Sequence, residues 1–508
     1  MDSPWYKRKM LFIIIFIFIL LLLTWWLIRW QQVKSYWAAR NVPHEPPHPV
    51  LGSLTFLQKE NPSIWLIKLY KKFPFPYIGI WLFWKPALII NSPELARQIL
   101  TKDADTFRNR FSNAGKSDPV GALNLFMIND PVWSSVRRRL TPVFTKLKLQ
   151  ALYPILIRKS NDLKKRIKED TEKNIKINLR SLFVDYSTDI LGEAAFGVSS
   201  NSITTGESAM REVTKDFMKF DWLRGLQWSC IFFFPELADF FRCKLFPKES
   251  LEILRKIYRT MVAERSKSQS ISGKSKDLLD ALMAMKIEAA AENEVYNEDL
   301  LFAQATLFVQ AGFETTSSAI TFAIYELAYN PEIQERLYRE IVEAKQKMEG
   351  NELDGVVLSN LQYLNCVINE TLRKYPSLGW LDRVSSQSYK VDDTLTVPAG
   401  TAVYVNVAGI QSDPQLFPKP EEFIPERFNT DNNNIKPFTF IPFGEGPRQC
   451  IGIRFGYQAI QFGLSAIILN FKLRPIEGSP LPNNCHIESK GFVYTADHPL
   501  HIQFVPRN

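Results

Sequence analysis

The stretch FGEGPRQCIG, from Phe443 to Gly452, is the most informative segment of this sequence. It places one cysteine, Cys450, between a turn rich in glycine and proline and an apolar run, IGIRFGYQAIQFGL, whose pattern predicts a helix. A cysteine sulfur binds a metal ion as a thiolate, and burial alone would keep it a thiol. A metal ion, backbone N–H donors and the positive start of the following helix all favour the anion. The segment therefore indicates a metal-binding thiolate.

The other residues of this segment fit a metal macrocycle held by the sulfur. Gly446 and Gly452 permit close approach of the backbone to a ring. Arg448 can reach a propionate of that ring, and Phe443 can pack against the loop and limit water near the sulfur. The alternative, an ordinary small buried residue, is the better interpretation of a lone cysteine. The spacing F-x-x-G-x-R-x-C-x-G, with matching residues at five fixed positions, favours the metal site and resembles the haem-binding signature of the cytochrome P-450 superfamily.

This resemblance implies a cofactor, co-substrates and partners. The cofactor would be haem b with Cys450 as its axial thiolate, and a thiolate opposite bound dioxygen favours O–O cleavage. O2 and NADPH would be co-substrates. Electrons would arrive through an NADPH-dependent diflavin reductase, with cytochrome b5 as a second candidate partner.

Composition excludes several other classes of protein. Apolar residues make up 46% and charged residues 23% of the 508 residues, which excludes extensive disorder. The 62 Lys and Arg exceed the 53 Asp and Glu, which suits an anionic membrane surface or an acidic partner, but no basic stretch interleaved with aromatic residues indicates nucleic acid. Five widely spaced cysteines argue against a disulfide framework and for a reducing compartment. The five histidines form no zinc motif.

The N-terminus predicts a membrane anchor followed by a hinge. Met10 to Ile28 carries no charge, and about 19 residues of helix nearly span a hydrocarbon core of about 30 Å. The alternative is a cleaved signal peptide, which usually has a shorter apolar region and a small-residue cleavage site. The four prolines of VPHEPPHPVLG, Val42 to Gly52, predict an extended linker. We therefore predict an anchor (1–30), a proline-rich hinge (31–52) and one catalytic domain (53–508).

The flanking charges do not settle the orientation of the anchor, because basic residues stand on both sides of it. Resemblance to microsomal P-450 proteins implies a single-pass anchor in the endoplasmic reticulum membrane, with the catalytic domain on the cytosolic face. A mitochondrial form is disfavoured, since the N-terminus is apolar and not an Arg-rich amphipathic presequence.

The body is predicted to be mainly α with a minor β region, which matches the P-450 fold. Tyr77 to Asn91 indicates two strands joined by a Lys-Pro turn, and strand patterns return at Ala402 to Val407 and at Phe492 to Phe504. Helical spacing predicts helices in three charged segments, 161–173, 250–267 and 331–349. A polar mobile loop is predicted at Glu264 to Lys276.

One long helix carries an unusual acid. Asn297 can cap a helix that runs to about Tyr329, roughly 32 residues or about 48 Å. Between Leu300 and Tyr325 its only charged side chain is Glu314, beside Thr315, and a buried carboxylate needs a reason. The structural alternative is a helix kink at the preceding glycine, with threonine hydroxyls bonded to carbonyls. AGFETT resembles the P-450 oxygen-activation motif, which implies that Thr315 hydrogen-bonds dioxygen at the haem and that Glu314 relays protons.

Further residues match the family in order along the chain. Glu370 and Arg373 share one helix face, which alone would suggest an ordinary surface ion pair. With Arg427 of PERF they resemble the structural Glu-Arg-Arg clamp. In WSSVRRRLTPVF, Trp133 and Arg137 lie one helical turn apart and resemble residues that contact haem propionates. Arg383 is a third candidate propionate contact. The remaining basic residues of that stretch, Arg138, Arg139, Lys146 and Lys148, are candidates for docking an acidic redox partner, or form a solvated helix face.

Substrate contacts are the least specific prediction, because apolar pocket walls resemble ordinary core. The candidates are Phe107, Phe111, Phe217, Phe220, Phe308, Trp380, Phe492 and Tyr494.

The sequence thus favours a membrane-anchored haem-thiolate monooxygenase. Details such as STDILGEAAFG resemble insect microsomal members, which mostly oxidise xenobiotics, lipophilic compounds such as plant allelochemicals or insecticides. The nearer alternative is a biosynthetic monooxygenase for a hormone, sterol or fatty acid. The more distant alternative is a haem sensor without turnover, which the Glu314–Thr315 pair argues against.

Overall fold

The computed structural model describes residues 4–267, 277–348, 352–429 and 435–507. The α-helices in these ranges are α1 (Pro4–Ser35), α2 (Pro62–Lys72), α3 (Pro93–Arg97), α4 (Pro119–Leu123), α5 (Val132–Leu140), α6 (Lys146–Gln150), α7 (Tyr153–Glu172), α8 (Leu179–Phe196), α9 (Ser202–Thr205), α10 (Ala209–Phe217), α11 (Trp222–Phe233), α12 (Lys248–Lys267), α13 (Leu278–Ala291), α14 (Glu298–Tyr329), α15 (Pro331–Gln346), α16 (Gly355–Asn360), α17 (Gln362–Lys374), α18 (Val407–Ile410) and α19 (Ile453–Asn470). The strands are β1 (Tyr77–Leu82), β2 (Lys85–Ile90), β3 (Leu381–Val384), β4 (Tyr389–Lys390), β5 (Thr396–Val397), β6 (Ala402–Val405), β7 (Phe471–Pro475) and β8 (Ile502–Pro506). The predicted fold class, mainly α with a minor β region, is confirmed.

The larger sheet joins distant parts of the chain. Its strand order is β1-β2-β6-β3, with β2 and β6 parallel and the other two pairs antiparallel. The antiparallel register of β3 and β6 places Asp382 opposite Tyr404 and Arg383 opposite Val403. Residues 77–90 and 381–405 therefore belong to one folded body.

The central helix α14 begins and ends as predicted. The Asn297 side chain accepts a hydrogen bond from the Leu300 backbone N–H at 2.8 Å, and this cap starts the helix. Pro331 begins the next helix, because proline cannot continue a regular helical hydrogen-bond pattern. Most side chains of α14 are buried, with α8, α10 and α19 packed against it. A helix buried nearly all round can carry polar groups only where function or hydrogen bonding supports them.

The ends of the chain differ in part from the predictions. The predicted strand at Phe492 to Phe504 is shorter, since strand pairing with β7 begins only at Ile502 and the earlier part forms a single isolated bridge, from Ala496 to Ile487. The predicted polar loop falls mostly on residues 268–276, outside the described ranges. The helix α1 is the one described helix that is long and apolar enough, by length and composition, to cross a membrane.

Candidate active site

The loop before α19 has a backbone that requires glycine. Gly444 and Gly446 have φ values of 72° and 74°, in the left-handed region that glycine adopts without steric penalty. A Cβ on Gly446 would lie 1.9 Å from the Leu100 carbonyl oxygen. Gly446 therefore permits close packing against Leu100, and it does not border the cavity described next. The loop closes with a hydrogen bond of 2.9 Å from the Cys450 backbone N–H to the Phe443 oxygen.

Cys450 and Thr315 border the same interior cavity. The cavity encloses about 1060 Å³ of space not filled by protein atoms, its open mouth included. Its lining is mostly apolar and comes from α8, from α14, from the Cys450 loop with the start of α19, and from the segment between α5 and α7. The accessible surface of the Cys450 side chain faces this cavity, although protein surrounds the residue. On α14, the Thr315 hydroxyl donates a hydrogen bond of 2.6 Å to the Ala311 oxygen.

The electrostatics of Cys450 oppose a free thiolate. Burial raises the pKa of its thiol above the ordinary value, and the Gly452 backbone N–H and the Arg137 guanidinium counteract that shift only in part. Burial also lowers the pKa of Arg137, whereas the nearby Cys450 raises it. A metal ion at the sulfur would supply the missing stabilisation of the anion.

Glycine also keeps the floor of the cavity open. A Cβ on Gly452 would meet only Phe144 Cε1, at 3.9 Å, and one on Gly456 only Phe443 Cε1, also at 3.9 Å. Both glycines line the cavity. The absence of side chains at these two positions leaves the space beside Cys450 free for a flat ring.

Three buried arginines gather near the loop around a single buried carboxylate. The Arg110 Nη1 lies 2.7 Å from the Asp382 Oδ1, and the Arg383 Nη1 donates to the Asp382 backbone oxygen at 2.7 Å. Burial, together with the neighbouring Arg110, lowers the pKa of Arg383 to about 9. Burial and then the nearby Arg110 and Arg383 lower the pKa of Arg448 to about 8. Three guanidinium groups around one buried carboxylate leave positive charge in excess, and this repulsion adds to the effect of burial on the two pKa values.

Arg448 also connects this arginine cluster to the predicted propionate contacts. Its guanidinium lies 4.1 Å from the centre of the Trp133 ring, and its Nη1 donates to the Ile128 oxygen at 2.9 Å. Trp133 is buried, whereas Arg137, one turn later on α5, is directed closer to Cys450. Two propionates would neutralise the excess charge. The residues present therefore fit haem, with a sulfur at one wall, glycines beside it and cations nearby.

The predicted ion-pair clamp is assembled and buried. Arg373 Nε and Nη2 lie 2.7 and 2.8 Å from the two carboxylate oxygens of Glu370, and Arg427 Nε lies 3.3 Å from Glu370 Oε1. The other Arg373 donors bind the backbone oxygens of Gln411 and Pro420. The clamp thus fixes the chain that leads from β6 to the Cys450 loop.

Glu314 lies on a different face of α14 from Thr315 and does not border the cavity. Its Oε2 accepts a hydrogen bond of 2.6 Å from Gln310, and its Oε1 lies 3.8 Å from the Arg180 Nη2, which is too far for a hydrogen bond. Burial raises the pKa of Glu314, although Arg180 and Arg224 act in the opposite direction. Burial also lowers the pKa of Arg224 to about 10.

The buried polar groups around Glu314 lack some of their hydrogen-bond partners. Within the described part of the chain, five of their buried polar atoms have none: Arg180 Nη2, Arg224 Nε and Nη2, Gln310 Oε1 and Glu314 Oε1. Buried polar groups of this kind usually bind ordered water. Arg224 also borders an open groove, which is lined by α11 and by the segments that precede α11 and α12, so these groups reach toward solvent.

The candidate substrate residues are divided between the cavity and the surrounding core. Phe308 lines the cavity and stacks on Phe144 with 5.2 Å between ring centres. Trp380 and Phe492 belong to an aromatic cluster with Phe232. The remaining candidates pack elsewhere: Phe107 on Tyr389, Phe111 on Tyr404, Phe217 on Phe246, Phe220 on Trp228, and Tyr494 on Phe322.

Two basic residues of α5, Arg138 and Arg139, already have acidic partners. Arg138 and Arg139 lie 2.7 and 2.8 Å from Glu292, and Arg139 also lies 3.1 Å from Glu294. The side chain of Arg138 is exposed, whereas that of Arg139 is nearly fully buried. Only Arg138 of this pair is open to a partner protein.

Comparison with known proteins agrees with this geometry. The family model described as Cytochrome P450 matches residues 42–501. The chain is 33% identical to Cytochrome P450 6k1 of Blattella germanica over 488 residues, which cover 92% of each protein. It is 33% identical to Probable cytochrome P450 6g2 of Drosophila melanogaster over 499 residues, 94% of this chain and 95% of that one. It is 34% identical to Cytochrome P450 6l1 of Blattella germanica, with 90% of each covered.

Proposed function

The chain belongs to the cytochrome P450 family and is a P450 monooxygenase, and from this premise we propose that it oxidises lipophilic xenobiotics at the cavity beside Cys450. One atom of O2 would enter the substrate and the other would leave as water, with two protons and two electrons consumed. The observation that carries the proposal is the single cavity bordered by both Cys450 and Thr315.

We propose that the Cys450 sulfur would bind the haem iron and that the arginine cluster would hold the propionates. Haem bound there supplies the iron at which O2 is reduced. Phe443 borders the cavity on the Cys450 side and limits water near the sulfur. Trp133, Arg383 and Arg448 would hold the ring edge through charge and packing.

Thr315 and Glu314 would divide the handling of protons between them. A threonine hydroxyl has one proton, which Thr315 donates to Ala311, so Thr315 must exchange that bond when it donates into the cavity. Glu314 has a raised pKa and can hold a proton closer to neutral pH than an ordinary carboxyl can. We infer that water bound to the partnerless atoms around Glu314 connects it to the groove at Arg224.

The substrate class rests on the apolar lining of the cavity and on the insect relatives. A wall containing Leu125, Val143 and Phe308 suits a lipophilic molecule. A biosynthetic role toward an endogenous hormone, sterol or fatty acid is the second candidate. A broad substrate screen with competition separates them, since a xenobiotic enzyme accepts many unrelated compounds and a biosynthetic one prefers a single compound.

The remaining assignments concern the setting of the enzyme. We propose an NADPH-dependent diflavin reductase as electron donor, with cytochrome b5 as a second donor. We further propose an endoplasmic reticulum location through the helix α1, with the catalytic domain in the cytosol. The boundaries 1–30, 31–52 and 53–508 stay a prediction.

The decisive test is the carbon monoxide difference spectrum of the reduced protein. We expect the red-shifted Soret band of thiolate-ligated haem, and Cys450→Ser should abolish it. Cys485→Ser is the matched control, because Cys485 lies outside the cavity, and it should retain the band. A histidine-type band in the unaltered protein would contradict the assignment. Product analysis with NADPH and reductase then tests turnover.

A further inference from the structure

A cluster of four tryptophans stands where the helix α1 meets the catalytic body. The rings of Trp25, Trp26 and Trp30 lie 6.4, 6.4 and 6.5 Å from the ring of Trp84, and Trp26 stacks on Trp30. Trp84 belongs to the turn between β1 and β2, and its Nε1 donates a hydrogen bond of 2.8 Å to the Pro49 oxygen. The turn therefore contacts the base of the helix through aromatic rings.

The chain around the end of the helix is held to strand β1. The Trp81 Nε1 donates to the Val33 oxygen at 3.0 Å, and the Trp37 Nε1 donates to the Ile80 oxygen at 2.9 Å. Trp37 is fully buried, and it fits because Gly79 has no side chain: a Cβ there would lie 2.5 Å from its ring. These contacts hold the chain on both sides of the helix end.

The helix is continuous from its apolar part to these contacts. It ends at Ser35, after the last of the clustered tryptophans and after Val33, which is buried in the body. A continuous helix transmits the orientation of its base along its length, whereas an unstructured joint would not. Docking at the base therefore sets the angle between the whole helix and the body.

The position of the cluster matches the edge of a bilayer. The apolar run that ends at Ile28 is about 28 Å long as a helix, so Trp25, Trp26 and Trp30 would reach the layer between hydrocarbon and water. Indole rings favour that layer because they are apolar with one polar N–H. Val50, next to the Pro49 that binds Trp84, is also exposed and apolar.

We propose that the tryptophan cluster lies in the interfacial layer of the membrane and fixes the catalytic body to the anchor at one angle. The proposal rests on the membrane anchoring stated under Proposed function. It adds the turn at Trp84 as a second membrane contact and a rigid joint in place of free movement at residue 30.

The rigid joint is tested by distances between two nitroxide labels. The full-length protein, with Cys485→Ser and labels at Leu21→Cys and Thr55→Cys, is placed in phosphatidylcholine nanodiscs and measured by pulsed electron resonance. We expect a narrow distribution of distances between the two labels when the tryptophan cluster is intact. The distribution should become at least twofold broader when Trp30→Ala and Trp84→Ala are introduced together. Trp222→Ala, at an exposed tryptophan elsewhere, should leave it narrow. A broad distribution in the intact protein overturns the proposal, as does an unchanged width in the double variant.

The membrane contact is tested at two exposed valines. A nitroxide at Val50→Cys should be accessible to lipid-soluble oxygen and shielded from a water-soluble nickel chelate. A nitroxide at Val295→Cys, on the loop between α13 and α14, should show the opposite preference. Equal accessibility at the two sites overturns the contact. Neither measurement depends on turnover, and a normal carbon monoxide spectrum of each variant separates this outcome from failure of the enzymatic assignment.

Discussion

Thr315 borders the cavity, where its hydroxyl is the group proposed to donate a proton. Thr315→Ala removes the hydroxyl but leaves the apolar wall, so haem and substrate should still bind. We expect product formed per NADPH to fall by about tenfold or more while hydrogen peroxide release rises, because proton delivery contributes at least that much to such steps. The measurement compares NADPH consumption, peroxide and product in one reaction.

Thr321 offers a matched control for that experiment. Its hydroxyl makes the same kind of bond along α14, 2.7 Å to the Ser317 oxygen, but the residue does not border the cavity. Thr321→Ala should leave the ratio of product to peroxide unchanged. If both variants uncouple equally, the effect belongs to the helix and not to the Thr315 hydroxyl.

Replacement of Glu314 should change how the stability of the protein depends on pH. Its folded-state pKa is raised above the unfolded value, so the ionised carboxyl destabilises the fold, and stability is lost as pH rises through that raised pKa. Glu314→Gln removes this loss. We compare the melting temperature of the variant with that of the unaltered protein at each pH. We expect the difference, variant minus unaltered protein, to be larger at pH 8 than at pH 5.

Turnover of the same variant gives an independent readout. Without a titratable group at this position, turnover should fall by about tenfold or more and should lose its dependence on pH in the range where Glu314 titrates. A difference in melting temperature that is the same at both pH values would show that Glu314 does not titrate with a raised pKa.

Residues with a fixed local spacing could be predicted from the sequence, and isolated ones could not. Cys450 and Thr315 stand in short motifs, and the structure brings both to one cavity. Arg110, Arg180 and Arg224 could not be predicted, because each is a single arginine whose burial depends on elements distant in sequence. Phe144 lies in the stretch WSSVRRRLTPVF, but nothing in its spacing indicates a cavity residue.

At the scale of elements, the clamp on α17 should decide whether haem is retained. Glu370→Ala leaves the buried guanidinium of Arg373 without its carboxylate, which typically costs about 3–5 kcal/mol of unfolding free energy. We expect a sharp fall in the haem-to-protein ratio, measured by absorbance, together with a lower melting temperature. Glu169→Ala is the matched control, because its ion pair with Lys165 lies on an exposed helix face. Its effect should stay below about 0.5 kcal/mol. Equal effects of the two changes would remove the special role of the clamp.

The helix α5 separates a docking charge from a structural one. Arg138→Ala removes an exposed charge, so reductase-supported turnover should fall about two- to threefold at low ionic strength and recover at high salt. Arg139→Ala should instead lower stability by about 1–3 kcal/mol at any salt concentration, since its buried side chain binds Glu292 and Glu294. Salt titration of turnover and thermal unfolding distinguish the two. A salt-independent loss of turnover in Arg138→Ala would argue against docking there.

Elements with strong local signals were predicted well, and those stabilised by distant partners were not. The cap at Asn297 and the proline at position 331 bound α14 as expected. The segment at Phe492 to Phe504 has the composition of a strand over its whole length, but β7 provides a pairing partner only from Ile502. A strand pattern without a partner strand stays irregular.

At the scale of the whole molecule, the pairing of distant segments could not be predicted from the sequence. The parallel contact between β2 and β6 joins residues more than 300 positions apart, and no local pattern specifies such a partner. The arginine cluster has the same origin, because β3 carries Asp382 and Arg383 toward Arg110 and the loop that contains Arg448. The site is thus a product of tertiary pairing as much as of motifs.

The proposed division between anchor and catalytic domain leads to the last prediction. Deletion of residues 2–30 removes the apolar span but retains Val33 and Trp37, which pack into the body, so the shortened protein should fold and keep the red-shifted carbon monoxide band. Turnover with full-length reductase in vesicles should fall by about tenfold or more, because the two proteins no longer share one membrane and their effective concentration drops.

A control in which alternating Leu and Ala replace residues 10–23 retains a span and all the clustered tryptophans, so it should restore turnover. Loss of the band in the shortened protein would instead mean that the first 30 residues belong to the folding unit, because a separate anchor contributes membrane attachment and not haem binding.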